Sequence, residues 1–246
     1  MTCLIFASAL TLGACSGRDK RGFSLAKSRS AVDVDECFSY LKKKKHEKAI
    51  KCFESYRSAN RGSPAAGVAD LAIADSYFIQ KEYLSAAEMY GTFTQGYPYS
   101  EKIAYAYLQQ GLSFYKAAPR ISGRDQTVLD QSQQALETVI YYYKNTPYFE
   151  PASELYKKVK FRKAKKEFSI GQYYYKNKEY LAANERFKTV ANDYPDSGFE
   201  NDSFYYLLKG LKATNQKDLA EDYFAAYKQF FPERESQIQK LASILK

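Results

Sequence analysis

The sequence predicts an all-α protein: a right-handed solenoid of about five helix pairs, closed by a C-terminal capping helix. Nearly the same segment occurs twice, as KEYLSAAEMYGTFTQGYP at 81–98 and as KEYLAANERFKTVANDYP at 178–195. Self-similarity of this kind is typical of stacked helical repeats. No stretch of any length alternates apolar and polar residues as a half-buried strand does. These two observations together favour helices throughout.

Three of the five predicted repeats carry an alanine, an aromatic residue four positions later and a proline eight positions after that, as in Ala86, Tyr90 and Pro98. The third repeat has Val139 in place of the aromatic residue, and the proline of the first is displaced to Pro64. A small residue lies twelve positions before most of the alanines. Small residues let two helices approach closely, and proline ends the second helix because it cannot donate a backbone hydrogen bond. The pattern is similar to the tetratricopeptide repeat, a pair of antiparallel helices. The other repeat alanines are Ala49, Ala135, Ala183 and Ala220.

The third repeat departs from this spacing. Its small residue, Gly111, precedes Ala135 by 24 positions instead of 12. The inserted segment 117–131 contains Pro119 and Gly123, which predict a loop. The second helix of this repeat is predicted at about 126–145, and a long helical stretch follows over 150–176. The last helix, at 234–246, is predicted to cap the exposed end of the stack.

The first residues predict a bacterial lipoprotein signal. The run from Cys3 to Ala14 carries no charge and is shorter than the roughly 20 residues that span a bilayer. It leads through small residues into Cys15, the residue that receives a diacylglycerol in that class. A buried N-terminal helix with an incidental Cys15 is the alternative. The predicted domains are a signal at 1–14, a lipidated linker at 15–32, N-terminal repeats at 33–148 and C-terminal repeats at 149–246.

The net charge of +9 predicts an anionic partner or surface. An exported chain does not meet chromosomal nucleic acid, so acidic proteins and anionic lipids remain. Two basic runs stand out, at 42–45 and 156–166. They predict contact with such a surface, or else solvated faces of helices.

No catalytic, metal or cofactor site is predicted, apart from the covalent lipid on Cys15. The single histidine, His46, lies in a lysine run without a cysteine cluster, and no glycine-rich phosphate loop is present. Cys37 and Cys52 remain once the signal and the lipid are accounted for. They predict either a disulfide across the first repeat or two free buried thiols.

The first helix of each pair is expected to line a concave groove. An aromatic groove of this kind suits an extended peptide or a partner helix. The alternative is that these rings pack between helices. The residues expected to face the groove are Leu71, Asp75, Phe78, Tyr105, Leu112, Tyr115 and Tyr175.

Three features make the chain resemble the lipoprotein subunit of the outer-membrane β-barrel assembly machinery, the BamD family. The first is a lipoprotein signal followed by five tetratricopeptide-type repeats. The second is Arg124-Asp125 in the third-repeat loop, and the third is the segment AKKEFSIGQYYYKNKEYLAANERFKTVANDYPDS at 164–197. Glu167 and Arg186 within that segment are not required by helix packing, so they add specificity.

The resemblance implies a non-enzymatic scaffold, held by its lipid on the periplasmic face of the outer membrane. Ser16 after the lipid cysteine is consistent with sorting to that membrane. The C-terminal repeats are expected to bind the barrel-forming subunit, with Arg186, Glu167, Arg124 and Asp125 as partner contacts. The N-terminal repeats are expected to receive unfolded outer-membrane proteins, and other assembly lipoproteins are expected partners.

Two other classes of function compete with this one. Another periplasmic repeat lipoprotein, such as a pilus secretin pilot or an envelope-division coordinator, would share the signal and the repeats but not the long third-repeat loop. A cell-wall enzyme with a repeat domain would need a catalytic module, and no residues are left over to build one.

Overall fold

Eleven α-helices follow one another along residues 32–119 and 127–245, the parts of the chain that a computed structural model describes. No strand occurs in these parts, so the all-α prediction is confirmed. Ten helices form five consecutive pairs, and the eleventh follows the last pair. The pairs are α1 (Val34–Lys42) with α2 (His46–Ala59), α3 (Pro64–Ile79) with α4 (Tyr83–Gly96), α5 (Ile103–Ala117) with α6 (Val128–Tyr142), α7 (Phe149–Lys176) with α8 (Tyr180–Asp193), and α9 (Glu200–Ala213) with α10 (Lys217–Phe230); α11 is Glu235–Leu245.

The same tight turn joins the two helices in repeats one, two, four and five. In the second repeat the Lys81 N–H donates to the Phe78 carbonyl and the Glu82 N–H to the Tyr77 carbonyl, each at 3.0 Å. These two bonds satisfy carbonyls at the end of the first helix and reverse the chain within three residues. One residue of each turn has a left-handed backbone, with φ between 55° and 66°. These residues are Lys44, Lys81, Lys178 and Asn215.

The third pair lacks this turn because of its insertion. The insertion is shorter than the loop predicted over 117–131, since α5 continues to Ala117 and α6 already begins at Val128. Leu129 explains the early start of α6, because its side chain is fully buried against the neighbouring helices. Burial of a leucine contributes about 1.5–3 kcal/mol, enough to favour an extra helical turn.

Small residues let the helices of a pair approach closely, as predicted. A Cβ added at Gly171 of α7 would lie 2.7 Å from a ring carbon of Phe187 on α8. In the third pair, a Cβ at Gly111 would lie 2.7 Å from Leu136. Any larger side chain at these positions would push the two helices apart.

Helix α7 has 28 residues and packs against two parts of the stack. Its N-terminal half places Leu155 and Val159 in a core shared with α5 and α6. Its C-terminal half places Ala164 and Phe168 in a separate core shared with α8 and α9. At about 1.5 Å per residue, α7 is roughly 42 Å long. One continuous helix therefore joins the third repeat to the fourth.

The C-terminal helix closes the stack as predicted. Leu241 of α11 is fully buried in the core of the last repeat. The turn before α11 is fixed by Arg234, which donates to the Glu200 carboxylate at 3.0 Å and to the Asn201 side-chain oxygen at 2.9 Å. Both acceptors lie at the start of α9, so this network ties the capping helix to the last pair.

A disulfide joins Cys37 on α1 to Cys52 on α2, with their Cα atoms 5.3 Å apart. It spans the two helices of the first repeat. Nearby, the Phe38 ring packs edge-on against the buried Phe53 ring at 5.0 Å. The disulfide therefore lies beside the small core of the terminal repeat.

Several predicted features lie outside the described residues: the signal at 1–14, Cys15, Arg124 and Asp125. Of the helices that the structure describes, none combines the length and the hydropathy needed to cross a membrane.

Candidate functional site

The fourth repeat brings together Arg186 and Glu167, two of the residues predicted to contact a partner. Arg186 on α8 donates from Nη1 to Glu167 Oε2 on α7 at 2.9 Å. The Glu167 side chain is 17% exposed and the Arg186 side chain is 44% exposed. The pair therefore links the two helices of the repeat while leaving part of the guanidinium open to solvent.

The geometry of this pair suits recognition of an anion. A guanidinium has five N–H donors, and within the described residues only one hydrogen bond of Arg186 engages a protein acceptor. Glu167 holds the side chain in one orientation, which lowers the entropy lost when a partner binds. The remaining N–H groups can donate to both oxygens of a carboxylate, in a bidentate pair.

A hydrogen-bonded cluster links the second and third repeats around Asp75, one of the predicted groove residues. Asp75 on α3 accepts from the Tyr90 hydroxyl at 2.5 Å and from the Tyr105 hydroxyl at 2.7 Å. Burial, together with the nearby Asp75 charge, raises the pKa of both tyrosine hydroxyls. Tyr105 thus joins α5 to α3, and its hydroxyl is already occupied.

Two other predicted groove residues lie against cations. The Phe78 ring packs edge-on against Tyr83, and Lys116 Nζ lies 5.9 Å from the Phe78 centroid. The Tyr115 ring lies 5.1 Å from the Arg162 guanidinium. Both rings are partly buried. Each therefore contributes to packing between helices and offers only part of its surface to a ligand.

An apolar cleft of about 420 Å³ opens beside Leu71, another of the predicted groove residues. It lies between the N-terminal half of α3 and the segment that leads from α4 to α5. Two of its residues are strongly exposed, Val68 at 47% and Tyr99 at 99%. Its main apolar lining consists of Val68, Leu71, Phe93, Tyr97, Pro98 and Tyr99.

Of the residues that line this cleft, Leu71 was the one predicted from the sequence to face a binding groove. Val68 could have been found, because it lies three positions before Leu71 on the same helical face. Tyr97 and Tyr99 carried no such signal, because the repeat pattern does not specify where residues after a helix end will point. Their position follows from the turn into α5.

Part of the basic run at 156–166 has a structural role. Arg162 donates to the carbonyls of Tyr115 at 3.1 Å and Ala118 at 3.2 Å, and also to the carbonyl of Pro119. The next residue, Lys163, pairs with Asp130 at 2.6 Å. Two adjacent cations on α7 therefore hold the end of α5 and the start of α6.

The other basic residues remain at the surface. Lys157 pairs with Glu154 one helical turn earlier at 2.8 Å, an exposed contact of small energetic value. The lysines at 42–45 are exposed at the end of α1 and in the following turn. Among the described residues, no group of histidine, cysteine or acidic side chains is arranged to hold a metal ion.

The described residues form a stack of helix pairs, with an apolar cleft at the second repeat and an exposed, ion-paired arginine in the fourth, and this architecture places the protein in the helical-repeat class. The sequence profile of the family described as YfiO, outer membrane lipoprotein, matches residues 35–226. Because the match covers most of the chain, the protein belongs to this family.

Two relatives are similar along much or part of their length. The outer membrane protein assembly factor BamD of Rickettsia prowazekii is 29% identical over 214 residues, which cover 87% of this chain and 84% of that protein. The protein of the same name from Caulobacter vibrioides is 27% identical over 134 residues, or 54% of this chain and 44% of that protein.

A solved structure of pilF from Pseudomonas aeruginosa also aligns with the chain. The alignment covers 85% of this chain and 95% of the other, with 16% identity and a TM-score of 0.38. At that TM-score the likeness is too low to support an inference about function.

Proposed function

We propose that this chain is a non-enzymatic outer-membrane protein assembly factor that acts as a lipid-anchored scaffold on the periplasmic face of the outer membrane. Membership of the outer membrane lipoprotein family supports this proposal, as do the two relatives named as assembly factors. Cys15 carries the lipid, no cofactor takes part, and other assembly lipoproteins are its neighbours. The chain works by binding, without a chemical step.

The C-terminal repeats, residues 149–246, dock the barrel-forming subunit of the assembly machinery. The observation that carries this step is the Arg186–Glu167 pair, which is fixed by a 2.9 Å hydrogen bond and still leaves Arg186 44% exposed. A carboxylate of the partner completes the coordination of the guanidinium. Arg124 and Asp125 contribute further contacts to the same assembly.

Docking is tested by affinity capture with the natively lipidated protein in detergent, followed by mass spectrometry. We expect the barrel-forming subunit to be recovered with wild type and lost with Arg186→Ala, since truncating one partner of a hydrogen-bonded charge pair that an interface buries costs about 2–5 kcal/mol. Lys188→Ala is the matched control, because Lys188 also pairs with a carboxylate, that of Glu185, on the same helix.

Two results would count against this part of the proposal. Capture of the barrel subunit by Arg186→Ala at the wild-type level would remove Arg186 from the interface. Failure of the wild-type protein itself to capture that subunit would overturn the assembly function.

The N-terminal repeats, residues 33–148, receive an extended segment of an unfolded client. The cleft beside Leu71 supports this step, because it offers apolar surface at the edge of the groove and Val68 and Tyr99 remain exposed there. An extended strand presents side chains alternately on its two faces, so one row can enter the cleft. Burial of a single valine- or leucine-sized side chain contributes about 1.5–3 kcal/mol.

A fluorescent peptide with the alternating apolar pattern of a barrel strand tests client binding. We expect Val68→Glu to weaken its binding about tenfold or more, since a buried charge would face the apolar side chain. Leu84→Glu is the control, because Leu84 is 53% exposed, similar to Val68 at 47%, but lies outside the cleft. Equal affinities of the two variants for the peptide would mean that the client does not bind in this cleft.

A further inference from the structure

A second cleft, of about 390 Å³, lies between α9 and α11 and is basic instead of apolar. Of the described residues that line it, none is acidic. We propose that this cleft binds an acidic segment of a partner protein, whose carboxylates contact the lysines while an apolar side chain packs on the aromatic ring. The lining consists of Tyr205, Lys209, Lys212, Lys240, Ser243 and Ile244.

The three α9 residues of the cleft lie on one face of that helix. Tyr205, Lys209 and Lys212 follow the spacing i, i+4 and i+7, which places them on one side of the helix. When the repeats are aligned on their alanines, the equivalent residues of the second repeat are Leu71, Asp75 and Phe78. This helical face is therefore apolar with one acidic residue in the second repeat, whereas in the fifth repeat it carries one aromatic residue and two lysines.

The lysines gather around one ring without a counter-charge. Lys209 Nζ lies 5.2 Å and Lys240 Nζ 4.7 Å from the Tyr205 ring centroid. Lys212 Nζ donates to the Ile244 carbonyl at 2.7 Å. None of the three forms an ion pair with a carboxylate of the described residues. Because neighbouring like charges repel, an anion that contacts more than one of these lysines is favoured.

The aromatic part of the cleft is fixed in advance. Tyr205 packs edge-on against Tyr206 at 5.4 Å, and Tyr206 stacks on the buried Phe187 at 5.4 Å with an interplanar angle of 16°. The core of the fourth repeat thus supports the ring from behind. A prepositioned ring can accept an apolar side chain with little further loss of entropy.

These features favour a protein segment over a lipid surface. Polybasic segments that bind anionic membranes use about 4–8 lysines or arginines on an open face. Here three lysines surround a ring, a hydroxyl and an aliphatic side chain within a cleft. The cleft is also separate from the Arg186 pair, which lies between α7 and α8. Its test can therefore fail without affecting the proposed docking of the barrel subunit.

The test measures binding of a fluorescent peptide rich in glutamate and leucine to the full chain, with a lysine- and leucine-rich peptide of equal length as the reference. We expect Lys209→Gln/Lys240→Gln to weaken binding of the acidic peptide about tenfold, and added salt to weaken it in the wild type. Lys176→Gln/Lys217→Gln is the control, because both lysines are exposed and outside the cleft.

A charge swap and a vesicle assay make the result specific. Lys209→Glu/Lys240→Glu should shift the preference towards the basic peptide. Equal binding of the acidic peptide by the glutamine variant and the control would overturn the proposal. In a Cys15→Ala background, lysine-dependent flotation with phosphatidylglycerol vesicles and no peptide binding would also overturn it and assign the cleft to lipid.

Discussion

At the scale of single residues, most polar side chains in the core have partners. The buried Ser132 hydroxyl, for example, donates to the Gly111 carbonyl at 2.7 Å and so fastens α6 to α5. Asn184 of α8 is an exception: it is 1% exposed, and neither its side-chain oxygen nor its nitrogen has a hydrogen-bond partner among the residues that the structure describes. It lies against Gly210 of α9. The equivalent residue of the second repeat is Ala87, which is fully buried.

We therefore expect Asn184→Ala to stabilise the protein by about 1 kcal/mol, because it removes two unsatisfied polar groups from the core. The measurement is the free energy of unfolding in urea. The reciprocal change, Ala87→Asn, should destabilise by a similar or larger amount. A loss of stability in Asn184→Ala would mean that the amide contributes a favourable contact.

Asp70 gives the stability a pH dependence. Its side chain is 5% exposed and lies 3.1 Å from the Arg57 guanidinium. Burial raises the pKa of Asp70 above 3.8, and the hydrogen bond and charge of Arg57 offset this only in part. The folded state therefore holds the Asp70 proton more tightly than the unfolded state does.

The sign of the effect follows from that difference. As the pH rises above 3.8 through the raised pKa, wild type should lose stability relative to Asp70→Asn, whose side chain stays neutral. Urea unfolding of both proteins at acidic and neutral pH gives the comparison. A difference that stays constant, or that grows in favour of wild type with rising pH, would contradict the assignment.

At the scale of helices and turns, the repeat spacing was sufficient to predict the pairs. Alanine, aromatic and proline recur at fixed intervals because each has one packing role. The sequence did not fix the ends of the third-repeat loop, because the burial of Leu129 depends on its contacts with distant helices. Nor did it reveal that Arg162 and Lys163 hold the flanks of that loop, since a basic run looks the same whether solvated or paired.

Among the described residues, the first repeat packs on the second repeat alone, so we expect its stability to depend strongly on its cross-link. The disulfide closes a loop with a sequence separation of 15 residues. For a loop of about 15 residues the expected stabilisation is roughly 3 kcal/mol. We expect Cys37→Ser/Cys52→Ser to speed hydrogen exchange in α1 and α2 and to leave α9 and α10 unchanged.

Reduction of wild type with dithiothreitol should reproduce the effect of the double substitution. Unchanged exchange in α1 and α2 after reduction would show that the local packing alone holds the repeat. A thiol titration of the unfolded, unreduced protein shows directly whether Cys37 and Cys52 are joined in a disulfide or are free thiols.

At the scale of the whole molecule, α7 couples two cores that otherwise have separate members. A proline in the middle of this helix should uncouple them. Proline removes a backbone hydrogen bond and clashes with the preceding turn, at a cost of about 3 kcal/mol or more. We expect Lys160→Pro to unfold in two steps where wild type unfolds in one, as followed by circular dichroism in urea.

Lys160→Ala is the control, because it removes the same side chain and keeps the helix. Two unfolding transitions in Lys160→Ala would mean that loss of the lysine side chain, and not the proline, uncouples the two cores. A single transition in Lys160→Pro would mean that the other contacts between the repeats are enough to keep the cores coupled.

The candidate sites were predictable to different degrees. Glu167 and Arg186 stood out because their types are not needed for packing, but their mutual contact required the structure. Leu71 was predicted for the groove, whereas Tyr99 was not, because the direction of a side chain after a helix end depends on the turn. The lysines around Tyr205 were also missed, since Lys240 reaches that ring from another helix.

The unbroken course of α7 also sets a distance. A single helix of 28 residues cannot stretch or shorten without breaking its own hydrogen bonds. The distance between the surfaces of the third and fourth repeats is therefore fixed by this helix. A partner bound beside Arg186 and a client bound in the earlier repeats would therefore lie at a distance from each other that the structure of this chain sets.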